Sequence, residues 1–226
     1  MKNQQAMENN KKSTVLTMTG VAIMVVLAAT KIVPSSNIAG YSVFVGIAFF
    51  FLVEIVSKTP NAKSGLRFNT IVEDMKKPGV TAWALVPCFS GIATIIVGNL
   101  IFSGEFADHV LGRTSSFLSF DKTILLIIQF ILGGFGEEIA FRGFFFGKTS
   151  KLFPAWICAV VSSIIFAAGH IATGNIGVVI FDISNVFIDS LIFSVVYWKS
   201  GNCVISTFSH ILGNVISCIV LFSFFK

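Results

Sequence analysis

The chain has 226 residues, of which 54% are hydrophobic and 12% charged, with a formal net charge of +5 and a mean hydropathy of +0.86. A soluble domain carries about 25% charged residues, so the composition excludes one and places the chain in a membrane. No zinc-finger spacing and no separate basic region accompanies the positive balance, so it argues against a nucleic-acid partner and for a bias of cationic residues among membrane loops.

A helix needs about 20 apolar residues to cross the hydrocarbon core. A polar N-terminal tail, residues 1–14, carries Lys11 and Lys12. The apolar run after it is longer than the core of a secretory signal and lacks a small-residue cleavage site, so it reads as the first membrane helix. Seven stretches qualify in chain order: Val15–Val33, Ile38–Val56, Val80–Phe102, Thr123–Phe146, Phe153–Thr173, Gly174–Trp198 and Cys203–Phe225. The sixth carries Asp182, Asn185 and Asp189, and a break there would make eight spans. Between the second and third, Asn61–Pro78 mixes Ile71, Val72 and Met75 with charges, which suits either a surface-lying segment or a charged loop. The expected fold is therefore all-α, a polytopic transmembrane helix bundle. It divides into the tail, N-terminal helices and loops over residues 15–122, and a C-terminal core over residues 123–226.

With the N-terminus inside, eleven basic residues fall on the cytoplasmic side, among them Lys2, Lys58, Lys63, Arg67, Lys148, Lys151 and Lys199. Lys31, Arg113, Lys122 and Lys226 fall outside, and Arg142 lies within the membrane. This bias assigns the N-terminus to the cytoplasm. Phe, used 25 times against 2 Tyr, reads as packing and lipid-facing bulk. Cys88, Cys158, Cys203 and Cys218 form no CxxC pair and sit in apolar runs as small hydrophobes.

Glu137 and Glu138 interrupt the fourth apolar run, with Arg142 four residues on. A charge at bilayer depth costs about 2.5–3.5 kcal/mol even on a mild insertion scale, so such a cluster marks a functional site. Glu138 and Arg142 share a helical face and read as an ion pair that makes burial tolerable. Glu137 is left without that partner. If the fourth and fifth runs form a hairpin, Glu137 and His170 differ in depth by roughly 7–8 Å, which modest tilt removes. His210 and Asn214 lie one turn apart on the last run, with Ser206, Gly213 and Ser217 extending the polar seam. A carboxylate beside a histidine can activate water, and histidine and asparagine can donate to a developing oxyanion. No Ser or Cys is paired with a base; Cys203 is a nucleophile only by default. His109 reads as a surface residue of an outer loop. Two histidines and a carboxylate also suit a divalent ion, but the residues come from separate helices without HExxH spacing. The reading is no cofactor, with a divalent metal as the alternative.

Glu137-Glu138-Ile-Ala-Phe-Arg142 resembles the EExxxR signature of the CAAX protease and bacteriocin-processing superfamily, the intramembrane proteases related to the type II CAAX prenyl endopeptidase. Phe166-Ala-Ala-Gly-His170 is similar to the family's FxxxH motif, and His210-Ile-Leu-Gly-Asn214 to its HxxxN motif. The resemblance spans roughly Thr123 to Ser217. It implies that Glu137 and His170 activate the hydrolytic water and that His210 and Asn214 support the oxyanion. It also implies that Glu138 and Arg142 shape the site, with Phe166 packed beside them, and that no metal is required. Asp189 departs from the small or apolar residue expected there. The implied partners are the lipid bilayer and a membrane peptide or lipidated protein substrate. A bacterial plasma-membrane location and a role in bacteriocin self-immunity or peptide processing follow as expectations. The competing class is a non-catalytic immunity or regulatory protein that binds a bacteriocin receptor or a sensor kinase. A transporter is less well supported, since no inverted repeat is visible.

Overall fold

The computed structural model describes residues 2–33, 38–59, 64–115 and 117–225. Lys63 and Lys226, assigned above to the inner and outer faces, lie outside the described residues. The described chain is helical and has no strand. α1 (Lys2–Ala29) starts inside the polar tail, where Lys12 and Glu8 pair at 2.6 Å across one turn, and pairs with α2 (Tyr41–Ser57). α3 (Ile71–Met75), α4 (Val80–Ile101) and α5 (Glu105–Thr114) follow. α6 (Thr123–Glu138) runs without interruption into a π-helical segment, Ile139–Phe146, and a last turn, α7 (Gly147–Thr149). α8 (Ala155–Ala168), α9 (Ile176–Ser200) and α10 (Cys203–Phe224) complete the bundle.

Among the described residues, six helices are long and apolar enough to cross a membrane: Gln4–Ile32, Ile38–Ser57, Val80–Ile101, Thr123–Thr149, Ile176–Ser200 and Cys203–Phe224. The sixth expected stretch is a single unbroken helix despite its three polar residues. The fifth differs from expectation. α8 has only 14 residues, about 21 Å of helix against a hydrocarbon core of about 30 Å. It stops at Gly169, and the chain turns through His170 toward Asn175, whose side chain accepts the Gly177 N–H at 3.0 Å and starts α9.

The π-helical segment lies at the centre of the packing, all eight of its residues buried. Ala140, Phe141, Phe144 and Phe145 meet Met24 of α1 and Phe50 of α2 in the main apolar cluster. Small residues let these helices approach, as membrane helix contacts require. A methyl group on Gly46 would lie 2.6 Å from the Ala140 Cβ. α4 and α10 pack by a related device. A methyl on Gly213 would lie 3.0 Å from the Pro87 Cβ, and Ser209 donates to the Ala84 carbonyl at 2.8 Å in the turn preceding that proline. The serine hydroxyl thus ties the two helices together across their contact.

The connection ahead of α4 is a folded latch on the α9–α10 turn. Asp74 accepts from Arg67 at 2.9 Å, Thr70 at 2.7 Å and Asn202 at 3.0 Å, and pairs with Lys77 at 2.7 Å. Asn202 also accepts from its own helix at Val204, capping α10. Burial pushes the Asp74 carboxyl upward, but the bonds from Lys77, Thr70 and Asn202 and the charge of Arg67 outweigh it and hold the group below the ordinary carboxylate value. A carboxyl that is more acidic in the folded state contributes stability that is complete above its unfolded pKa, near about 4, and is lost as pH falls through the lower folded value. Asp74→Asn is expected to cost about 2 kcal/mol at neutral pH, read as a lower unfolding midpoint in detergent. The difference from the parent chain should shrink as the pH is taken below about 4.

Candidate active site

Arg142 and Glu138 form the buried foundation of the site. Arg142 Nη1 lies 3.0 Å from Glu138 Oε1, with the two side chains 1% and 0% exposed. The guanidinium is also held from the other side. Nη2 donates to the Ser190 carbonyl at 2.9 Å and to its hydroxyl at 2.8 Å, and that hydroxyl donates to Ser163 at 3.0 Å. Its flat faces lie against Phe166 and Phe193, 4.8 Å and 5.1 Å from the ring centroids. A guanidinium suits such a place because it is weakly hydrated, forks its donors and stacks on aromatic faces.

His210 connects this foundation to a cavity. Its Nδ1 is 3.0 Å from Glu138 Oε1, so the acceptor-only carboxylate fixes Nδ1 as the donor. The ring stacks on Phe193, centroids 4.5 Å apart and planes 17° from parallel. Its other nitrogen, Nε2, faces Glu137 Oε2 at 3.7 Å. That gap is too long for a direct hydrogen bond and short enough for a strong electrostatic contact. The Glu137 side chain is 26% exposed, whereas Glu138 is sealed. The two adjacent glutamates therefore occupy different environments: one neutralised inside the bundle, the other presented to the cavity.

The cavity has a volume of about 480 Å³ and is walled by α4, α5, α6, α9, α10 and the end of α8. Glu137, Phe166, His170, His210 and Asn214 all line it. His170 sits in the turn that ends α8. Its Nδ1 is 2.8 Å from the Phe166 carbonyl; a carbonyl can only accept, so Nδ1 carries the hydrogen and Nε2 of the neutral ring is an acceptor. The Phe166 ring packs on His170 with centroids 4.5 Å apart and edge-on to Phe141 at 5.0 Å. Sequence spacing pairs Glu137 with His170 across a hairpin. In the structure both reach the same cavity, and the histidine that Glu137 meets is His210.

Asp182, Asn185 and Asp189 also line the cavity. Asp182 pairs with Arg113 at 2.9 Å and with His109 at 3.2 Å, and Asn185 accepts from Thr94 at 2.8 Å. His109 is therefore no surface residue: its side chain is 6% exposed, and it closes a buried three-residue charge cluster with α9. Cys203 is fully buried within the main apolar cluster, away from the cavity lining. All four cysteines are free. No group of three His, Cys, Asp or Glu side chains among the described residues is placed to hold a metal ion.

Sequence reasoning missed Phe193, Ser190 and Ser163, which clamp Arg142, and the parts that His109 and Arg113 play beside Asp182. None belongs to a spaced motif. A buried arginine does imply further acceptors, so a serine-bearing face opposite Arg142 was the available signal.

Residues 119–216 match a family model described as type II CAAX prenyl endopeptidase Rce1-like. The chain is similar to that family over this stretch, which contains Glu137, Glu138, Arg142, Phe166, His170, His210 and Asn214. No curated protein and no solved structure matches the chain. The apolar helices together with this membrane-protease family make it a multi-pass membrane protein.

Proposed function

We propose that the protein is an intramembrane endopeptidase that hydrolyses a peptide bond of a membrane-associated peptide or protein with an activated water and no bound metal. The observation that carries this reading is the division of labour between the two glutamates. Glu138 is spent on Arg142 and His210, while Glu137 reaches a cavity that His170 and Asn214 also line. The water sits between Glu137 and the His170 Nε2 acceptor. Its proton passes to that pair as its oxygen attacks the scissile carbonyl, general-base assistance worth about 10²–10⁴-fold. Asn214 donates to the oxyanion of the tetrahedral intermediate, and His210 joins it from Nε2 when its ring carries a hydrogen on both nitrogens; one such donor is worth about 10²–10³-fold. The proton then moves to the leaving amine, which breaks the C–N bond. Phe166 holds His170 and covers Arg142, and the ion pair fixes His210.

A peptide substrate fits better than a prenylated protein, and bacteriocin self-immunity or peptide processing in a bacterial plasma membrane is the setting we favour. The test is cleavage of a membrane-anchored quenched peptide by the purified chain in liposomes, with Glu137→Gln and His170→Ala as variants. Loss of cleavage in both, with normal insertion, supports the reading. Full activity in both sinks it, and retention of an immunity phenotype without cleavage favours the binding-protein class. In the same assay, exhaustive chelation is expected to leave the rate within about twofold, since general-base and oxyanion assistance supply the chemistry. A loss that a divalent ion restores would return the metal reading.

A further inference from the structure

The cavity occupies one end of the bundle, and the basic loops occupy the other. Its walls are the second half of α4 (Gly91, Thr94, Ile95), the connection through α5 to Phe120, and the first half of the Thr123–Thr149 span up to Glu137. From α10 it takes His210 through Leu221, again the half remote from the α9–α10 turn. All of these residues belong to the end that carries the α4–α6 and α8–α9 connections. The opposite end carries the α2–α4, α7–α8 and α9–α10 connections, with Lys58, Arg67, Lys77, Lys151 and Lys199. At the cavity end the described basic residues of the connections are Lys31, Arg113 and Lys122, and Arg113 is tied to Asp182. Cationic loops are retained on the cytoplasmic side.

The geometry points to a catalytic cavity that opens to the outer face of the membrane, so that the substrate is an apolar peptide segment presented from outside or from the outer leaflet, not the tail of a cytoplasmic protein. The substrate half of this inference rests on the peptidase reading; the sidedness does not. The walls agree with such a substrate. Phe106, Val110, Phe117, Phe120 and Leu221 give that end of the cavity an apolar lining, which suits a hydrophobic peptide entering from lipid or from the outer surface.

Site-directed labelling with a membrane-impermeant maleimide tests it in right-side-out and inverted vesicles containing the full chain. Phe117→Cys reports the cavity rim, where Phe117 is 59% exposed. Lys151→Cys reports the α7–α8 connection, and the parent chain with its four cysteines gives the background. The expected result is Phe117→Cys labelling at least about tenfold faster from the outside, with Lys151→Cys showing the reverse. Labelling of Phe117→Cys confined to inverted vesicles, equal from both sides or absent from the outside overturns the sidedness. A quenched membrane-anchored peptide is then added to each vesicle type. Cleavage only in right-side-out vesicles supports the substrate class, and cleavage only in inverted ones overturns it. Outside labelling with no cleavage in either preparation removes the peptidase reading and leaves the sidedness standing.

Discussion

Glu137→Gln is expected to lower peptide cleavage by at least about 10³-fold while leaving insertion and thermal unfolding unchanged. The amide has the shape of the carboxylate and keeps one acceptor oxygen, but it takes up no proton. The stability of the bundle should not register the change. The Glu137 side chain is 26% exposed, and the ion-pair contact the structure gives it is the 3.7 Å approach to His210. Glu138→Gln is the informative contrast. It weakens the pairing with Arg142 and the acceptor for His210 Nδ1, both at 3.0 Å in a sealed environment, so stability and activity should fall together. Rates measured beside unfolding midpoints for the two variants check the assignment. If Glu137→Gln unfolds early, or Glu138→Gln is active and stable, the roles given to the pair are wrong.

The largest effect on stability is expected at Arg142. Arg142→Met removes the cation that pairs with the sealed Glu138 carboxylate, and leaves the Ser190 hydroxyl without the donor it accepts from. Removing one partner of a buried ion pair costs about 3–5 kcal/mol, because the remaining charge stays desolvated. The double variant Glu138→Gln/Arg142→Met should recover more than half of that loss, since it removes the orphaned charge along with its partner. Thermal unfolding in detergent measures both. Additive losses in the double variant would show that the two side chains stabilise the bundle independently. Activity should not return with stability, because an amide oxygen holds the His210 Nδ1–H less strongly than the carboxylate does.

Much of this arrangement was legible in the residues. Charges at helical spacing inside an apolar run identify Glu138 with Arg142 as a pair, and the one-turn separation of His210 and Asn214 places both on one wall. What escaped has physical causes. Hydropathy counts apolar residues and does not see a helix stop, so Phe153–Thr173 reads as a span although Gly169 ends α8 and the apolar Ile171 and Ala172 lie beyond it. The meeting of His109 with Asp182 joins positions 73 residues apart, and no local period encodes such a contact. The latch at Asp74 escaped for the same reason: its partner Asn202 lies 128 residues away. The change to π-helical winding after Glu138, in the segment that carries Arg142, leaves no mark in composition. The Gly147 N–H reaches back five residues to the Arg142 carbonyl, the widened bond pattern found in helices at functional positions.

The early end of α8 bears on a requirement of hydrolysis that side-chain roles do not address. α9 exceeds α8 by eleven residues, about 16 Å of helix, and the chain between them, from Gly169 to Asn175, is non-helical backbone. Such backbone is tolerated at membrane depth only beside protein or a hydrated space. His170 stands at the start of that segment. The shortfall of one helix thus sets the histidine proposed to take a proton at the start of irregular backbone on the wall of the cavity, the one place in such a bundle where water and peptide can meet.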